Sequence, residues 1–250
     1  GGLFNVSGYL ANYTAPAKDC SYYVKALSKK SEEYIQGYKY MIDHAVATVN
    51  NAGEDKYICF SSLQDAFNYA PKFDKPVVRL LGDLTGIDRK LIVTTDGIDC
   101  TLDLNGHLLE GTTDSLLYVR SRDKENEGSF TLTDESQSGK GIIRTRAARN
   151  KMLKAIYQTA GELHVSNCTV EAENTMLYSS AATGVAATAV YVGLQKHLYL
   201  TDATLNTVST RCAYGAVVYG DTYIENSNVN ATETLAGAAY GLYVLSGHTE

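Results

Sequence analysis

Three hexapeptides decide the architecture: Val165-Ser166-Asn167-Cys168-Thr169-Val170, Leu200-Thr201-Asp202-Ala203-Thr204-Leu205 and Ile224-Glu225-Asn226-Ser227-Asn228-Val229. They share one pattern of apolar, polar, Asn or Asp, small, Thr or Asn, apolar. A weaker copy begins at Leu132-Thr133-Asp134, and Leu104-Asn105-Gly106 is an earlier relative. The apolar anchors at 104, 132, 165, 200 and 224 are separated by steps of 28, 33, 35 and 24 residues. A second series runs beside the first: Ala155-Ile156-Tyr157, Ala189-Val190-Tyr191, Gly215-Ala216-Val217 and Gly241-Leu242-Tyr243. Self-similarity at a step of about 20–50 residues is the signature of a repeat architecture.

Each repeat holds two or three short segments of alternating apolar residues, divided by turns of Asn, Asp, Gly, Ser and Thr, which reads as strands. Unequal steps suit strands joined by variable turns better than helical repeats, whose 3.6-residue apolar period is missing here. Stacking each strand on its counterpart, about 4.8 Å away, would bury the inward side chains in continuous columns. Asp134, Asn167, Asp202 and Asn226 then form a structural ladder at a turn that favours the left-handed conformation, which Asn and Asp tolerate. Cys168, Ala203 and Ser227 form a parallel column of small residues, so Cys168 reads as a packing residue.

The remaining composition sets limits. The 250 residues are 44% apolar and 20% charged, with 21 Gly, 3 Pro and no Trp, as in a globular chain. A net charge of -6 argues against a nucleic-acid partner held by phosphate contacts. The five cysteines, Cys20, Cys59, Cys100, Cys168 and Cys212, contain no C-x-x-C pair, so a zinc site has no support and buried thiols are expected. Residues 179–194 are the best candidate for a membrane span but are too short and too polar, and they read as packed coil.

The stretches Cys100–Gly111, Gly128–Asp134 and Ala155–Asn167 resemble coils of right-handed parallel β-helix proteins with the pectin-lyase-like fold. More narrowly, they are similar to β-helix modules in large secreted or surface proteins of gut bacteria. The resemblance implies an all-β, single-stranded right-handed parallel β-helix, a solenoid, over residues 55–250. Because the stretch 240–250 stops about where its alignment with residues 214–224 predicts the next strand, the helix reads as cut short at its C-terminal end. Residues 57–70 followed by 77–84 look like the leading element of such modules: a strand, a short capping helix and the first coil strand. Local chemistry agrees, since Ser62 and Asp65 make an N-cap pair, Leu63, Ala66, Phe67 and Ala70 share one face, and Pro71 stops the helix. Residues 1–54 read as the end of a preceding module or a cap.

Enzymes occur on this fold, but the fold alone carries no activity. The hydrolase branch is recognised by Asn-Thr-Asp, Asp-Asp, Gly-His-Gly and Arg-Ile-Lys motifs, and none is present. Lyase-like members need an acidic calcium cluster and a proton-accepting Arg or Lys; Asp99 with Asp103, and Arg146 with Arg149, are the nearest equivalents. No catalytic residue and no metal ligand is assigned, and no cofactor is expected, with calcium relevant only to the lyase reading.

The strongest functional signal is charge. Residues 139–161 carry six basic residues and no acid, whereas residues 162–250 carry 2 basic and 8 acidic ones. Lys140, Arg144, Arg146, Arg149 and Lys151 are therefore candidate contacts to an anion or glycan, against the alternative of a solvated loop. Tyrosine supplies 19 of the 24 aromatics, and exposed ring faces could stack on sugars. The expected function is that of a non-enzymatic structural or adhesive module of a secreted or cell-surface bacterial protein. Its expected partners are a polysaccharide, a host glycan or protein, and neighbouring modules of the same chain. A polysaccharide lyase or glycoside hydrolase acting on an acidic polysaccharide is the second reading.

Overall fold

A computed structural model describes residues 44–54, 57–136, 141–245 and 249. Most of the N-terminal segment 1–54, and Lys140 of the basic run, lie outside these residues. The regular secondary structure of the described residues is almost entirely strand. After β1 (Ala47–Asn51) and β2 (Ile58–Phe60) comes helix α1 (Leu63–Tyr69), then a single 3₁₀ turn (Ala70–Lys72). The Ser62 hydroxyl accepts the Asp65 N–H at 3.3 Å, which caps the helix, and Pro71 falls where the helix gives way to the tighter turn. Leu63, Ala66 and Phe67 point into the core.

Eighteen further strands follow in six units of three. They are β3 (Pro76–Leu80), β4 (Leu84–Ile87) and β5 (Leu91–Thr94); β6 (Asp99–Asp103), β7 (Leu108–Gly111) and β8 (Ser115–Arg120); β9 (Ser129–Thr133), β10 (Ile142–Ala147) and β11 (Met152–Gln158). The last three units are β12 (Glu162–Ser166), β13 (Thr169–Asn174) and β14 (Ala186–Val192); β15 (His197–Thr201), β16 (Thr204–Ser209) and β17 (Cys212–Val218); β18 (Thr222–Glu225), β19 (Asn228–Glu233) and β20 (Ala238–Val244). The first, second and third strand of every unit lie in the first, second and third sheet, and each pairs in parallel with the strand three positions on. The protein is therefore all-β with one short helix. Its three sheets, mostly parallel, are compatible with a β-helix-like solenoid.

The in-register pairing turns sequence alternation into columns. In the first sheet Val78, Leu102, Leu132, Val165 and Leu200 line up and are almost wholly buried. In the second sheet Leu109, Ile143, Val170 and Leu205 do the same. Leu117, Ile156, Val190 and Ala216 continue the pattern in the third. Each such large apolar side chain contributes about 1.5–3 kcal/mol relative to exposure. Gln158 interrupts the column of Val119, Val192 and Val218; it is fully buried, and its amide nitrogen donates to the carbonyls of Ala160 and Gly161.

Close approach between units restricts the turns. Gly161 has a φ of +63°, and a Cβ there would stand 1.9 Å from the Gly128 carbonyl oxygen. Residues 121–128 and 175–185 absorb the unequal repeat lengths outside the sheets. Part of the segment expected to be packed coil is in fact strand β14, whose alternate small residues fit between the flanking strands. Strand β1 was not expected either: it lies antiparallel between β2 and β3, so residues on both sides of the 54/55 boundary share one sheet. Among the described residues no helix is long and apolar enough to cross a membrane.

Candidate functional site

The basic run crosses two sheets. Arg144 and Arg146 lie on β10 with their side chains outward, in register with Glu171 and Glu173 of β13, and Arg144 is also in register with Glu110 of β7. The Arg144 guanidinium donates through Nε to Glu171 at 2.7 Å and through Nη1 to Glu110 at 3.1 Å. Those bonds raise its pKa above the ordinary arginine value. The line continues as Asn206 donates to Glu171 at 3.3 Å and Asn230 donates to Asn206 at 3.0 Å. Five units of the second sheet are thus joined across the outer face by one polar ladder. Arg146 forms a second rung beside it, 3.0 Å from Glu173.

Arg149 and Lys151 stand at the corner between β10 and β11, and both reach Asp114. The corner is held from below by Asn174, a buried residue that the charge pattern does not reveal. Its amide nitrogen donates to the carbonyls of Arg149, Lys151 and Ala186, and its oxygen accepts the N–H groups of Arg149 and Met176. Lys154 faces outward from the third sheet, 5.4 Å from the Tyr157 ring centre and 5.5 Å from that of Tyr191. Burial there lowers its pKa. Arg144, Arg146, Arg149 and Lys151 therefore each have a carboxylate partner within this chain. The signal for those partners was faint in sequence, because Glu110 and Glu171 lie 34 and 27 residues from Arg144.

Asn167, Asp202 and Asn226 occupy one position at the end of the first sheet, with φ of 53°, 51° and 46°. Asp134 stands at the equivalent position with ordinary negative φ. It is buried and accepts backbone N–H groups from Gly106, Ser136 and Gly141. Although burial alone would raise its pKa, a bond from the Ser136 side chain together with those backbone bonds holds its carboxyl below the usual range. Burial pushes the Cys100 thiol up to about 12 and the Cys168 thiol higher still, so both are protonated packing groups at neutral pH.

The aromatic residues include both mutually covered rings and exposed ones such as Tyr240 and Tyr243. On the first sheet His164, Tyr199 and Tyr223 stack with centroids 4.5 and 4.8 Å apart and planes within 6° and 7° of parallel. Those distances are the strand spacing, so the faces cover one another and ring edges meet the solvent. Beside this stack Asp99, Ser129, Thr131 and Ser166 line a shallow depression of about 420 Å³. Asp99 and Asp103 sit at opposite ends of β6. Asp103 is wholly buried and bonded to Arg79 at 2.6 Å, while Asp99 accepts from Ser129 at 2.8 Å. Compared with protein-family models, with curated proteins and with solved structures, the chain matches none.

Proposed function

We propose that the chain is a right-handed parallel β-helix module of the pectin-lyase-like kind that its sequence resembles. It serves as a stiff structural or adhesive section of a secreted or cell-surface protein, meeting a polysaccharide, a host glycan or protein, and its neighbouring modules. The observation that carries this reading is the ladder Glu110–Arg144–Glu171–Asn206–Asn230, in which outward polar groups bind the next unit. Side chains committed to unit-to-unit contacts stiffen a stack whose units otherwise touch only their neighbours. The ring stack of His164, Tyr199 and Tyr223 acts in the same sense on the first sheet.

The test is incubation of the chain with neutral and acidic polysaccharides, with and without calcium, followed by assays for new reducing ends and unsaturated uronate. No product is expected. Product formation that is lost in Arg146→Ala or Arg149→Ala would overturn the reading in favour of a lyase.

A further inference from the structure

We propose that the groove between helix α1 and the N-terminal end of the third sheet binds a small molecule through an oxyanion group, a carboxylate or a phosphate. Phe67 and Pro71 form one wall, the β4–β5 turn forms another, and outward residues of β5 and β8 lie between them, enclosing about 680 Å³. Ligand pockets usually fall at about 300–1,000 Å³ and combine apolar walls with a few convergent polar groups.

The charge in this groove is unbalanced. Arg89, Lys90, Arg120 and Arg122 line it, against the single carboxylate of Asp88. Arg122 is tied to Asp96 at 2.8 Å. Among the described residues, no carboxylate lies within ion-pair distance of Arg89, Lys90 or Arg120. Arg79, Arg144 and Arg146 of the same chain are all so paired. Arg120 lines the groove from the end of β8 and is not spent on its own chain through Nε, which has no hydrogen-bond partner. A guanidinium is a fixed fork of donors, and oxyanions match it in two-point contacts. Lys90 is held over the Tyr118 ring at 5.1 Å, which places its ammonium beside the same groove. Three cations from two separate sequence stretches, Arg89, Lys90 and Arg120, thus converge without a carboxylate partner among the described residues, beside the one acid, Asp88, that lines the groove.

The experiment is calorimetric titration of the 250-residue chain at low ionic strength with inorganic phosphate, with glucuronate and with glucose. Saturable binding of one or both anions is expected, with no binding of glucose. Phosphate alone would define a phosphoryl ligand, and glucuronate alone an acidic sugar. Arg120→Gln is expected to weaken binding at least tenfold, as is the double substitution Arg89→Gln/Lys90→Gln at two exposed positions, which keeps the test valid if the first variant fails to fold. The proposal is overturned if neither anion saturates at millimolar concentration, if glucose binds equally well, or if the folded variants bind as the parent does.

Discussion

The side-chain amide of Gln64 exchanges two hydrogen bonds with the backbone of Ile92, donating to its carbonyl at 2.9 Å and accepting its N–H at 2.8 Å. Among the described residues, Ile92 lies on β5, the outermost strand of the third sheet, with no further strand on its far side. Gln64 therefore stands in for a peptide group of the missing neighbour and closes part of an edge that would otherwise invite pairing with another chain. Gln64→Ala is expected to cost about 1–3 kcal/mol, the range for leaving backbone groups unpaired. Urea unfolding measures the loss, and faster hydrogen exchange at the Ile92 amide locates it. An unchanged exchange rate would remove Gln64 from this role.

Two turn positions separate backbone conformation from side-chain chemistry. Asn167→Gly is expected to leave stability within a few tenths of a kcal/mol, and Asn167→Ala to cost about 1 kcal/mol, because φ is 53° there. Gly161→Ala combines a φ of +63° with contact at 1.9 Å to the Gly128 carbonyl, so it is expected to exceed Asn167→Ala. Thermal unfolding of the three variants checks the order.

Arg144 joins two glutamates, whereas Arg149 is half exposed and 3.8 Å from Asp114. Arg144→Leu leaves Glu110 and Glu171 without their shared cation and is expected to cost about 1–3 kcal/mol. Arg149→Leu is expected to fall within about 0.5 kcal/mol, as for other solvent-screened pairs. Equal losses from both would show that the ladder adds nothing to stability.

Acid separates the role of Asp96 from general repulsion. Burial works against its ionised form, but bonds from the Arg122 backbone and side chain and from Ser121 outweigh that and lower its pKa from 3.8 to about 2. A depressed folded-state value means the stabilisation is present above 3.8 and is lost as pH falls towards about 2. The stability gap between the parent and Asp96→Asn should be full near pH 5 and should narrow across that window. Urea midpoints at several pH values would test this, and a gap independent of pH would refute it.

Much of the fold is legible in sequence, because strand register repeats the same pattern of Asn or Asp between apolar anchors. Strand β1 is not, since Ala47-Thr48-Val49-Asn50-Asn51 carries no repeat signature and gains its place only by antiparallel pairing with β2 and β3. The basic run is legible as a local excess of charge, yet its meaning depends on carboxylates that register brings from other units. Tyr199 and Tyr223 are legible as outward residues, but their stacking on His164 is not, because it depends on the register of strands from three units. The groove at α1 is hidden for a related reason: Arg89 and Lys90 belong to one unit, and Arg120 and Arg122 to the end of the next.

Residues 121–128 and 175–185 leave the sheets after strands whose positions are fixed by parallel neighbours. The first follows the second unit and the second lies within the fourth, so they differ in height by two strand spacings, about 10 Å. Peptides grafted into both places would be displayed at a set separation and on different sides of the molecule. The chain would then work as a short ruler, graduated in strand spacings, for measuring how far apart two epitopes must lie to be recognised together.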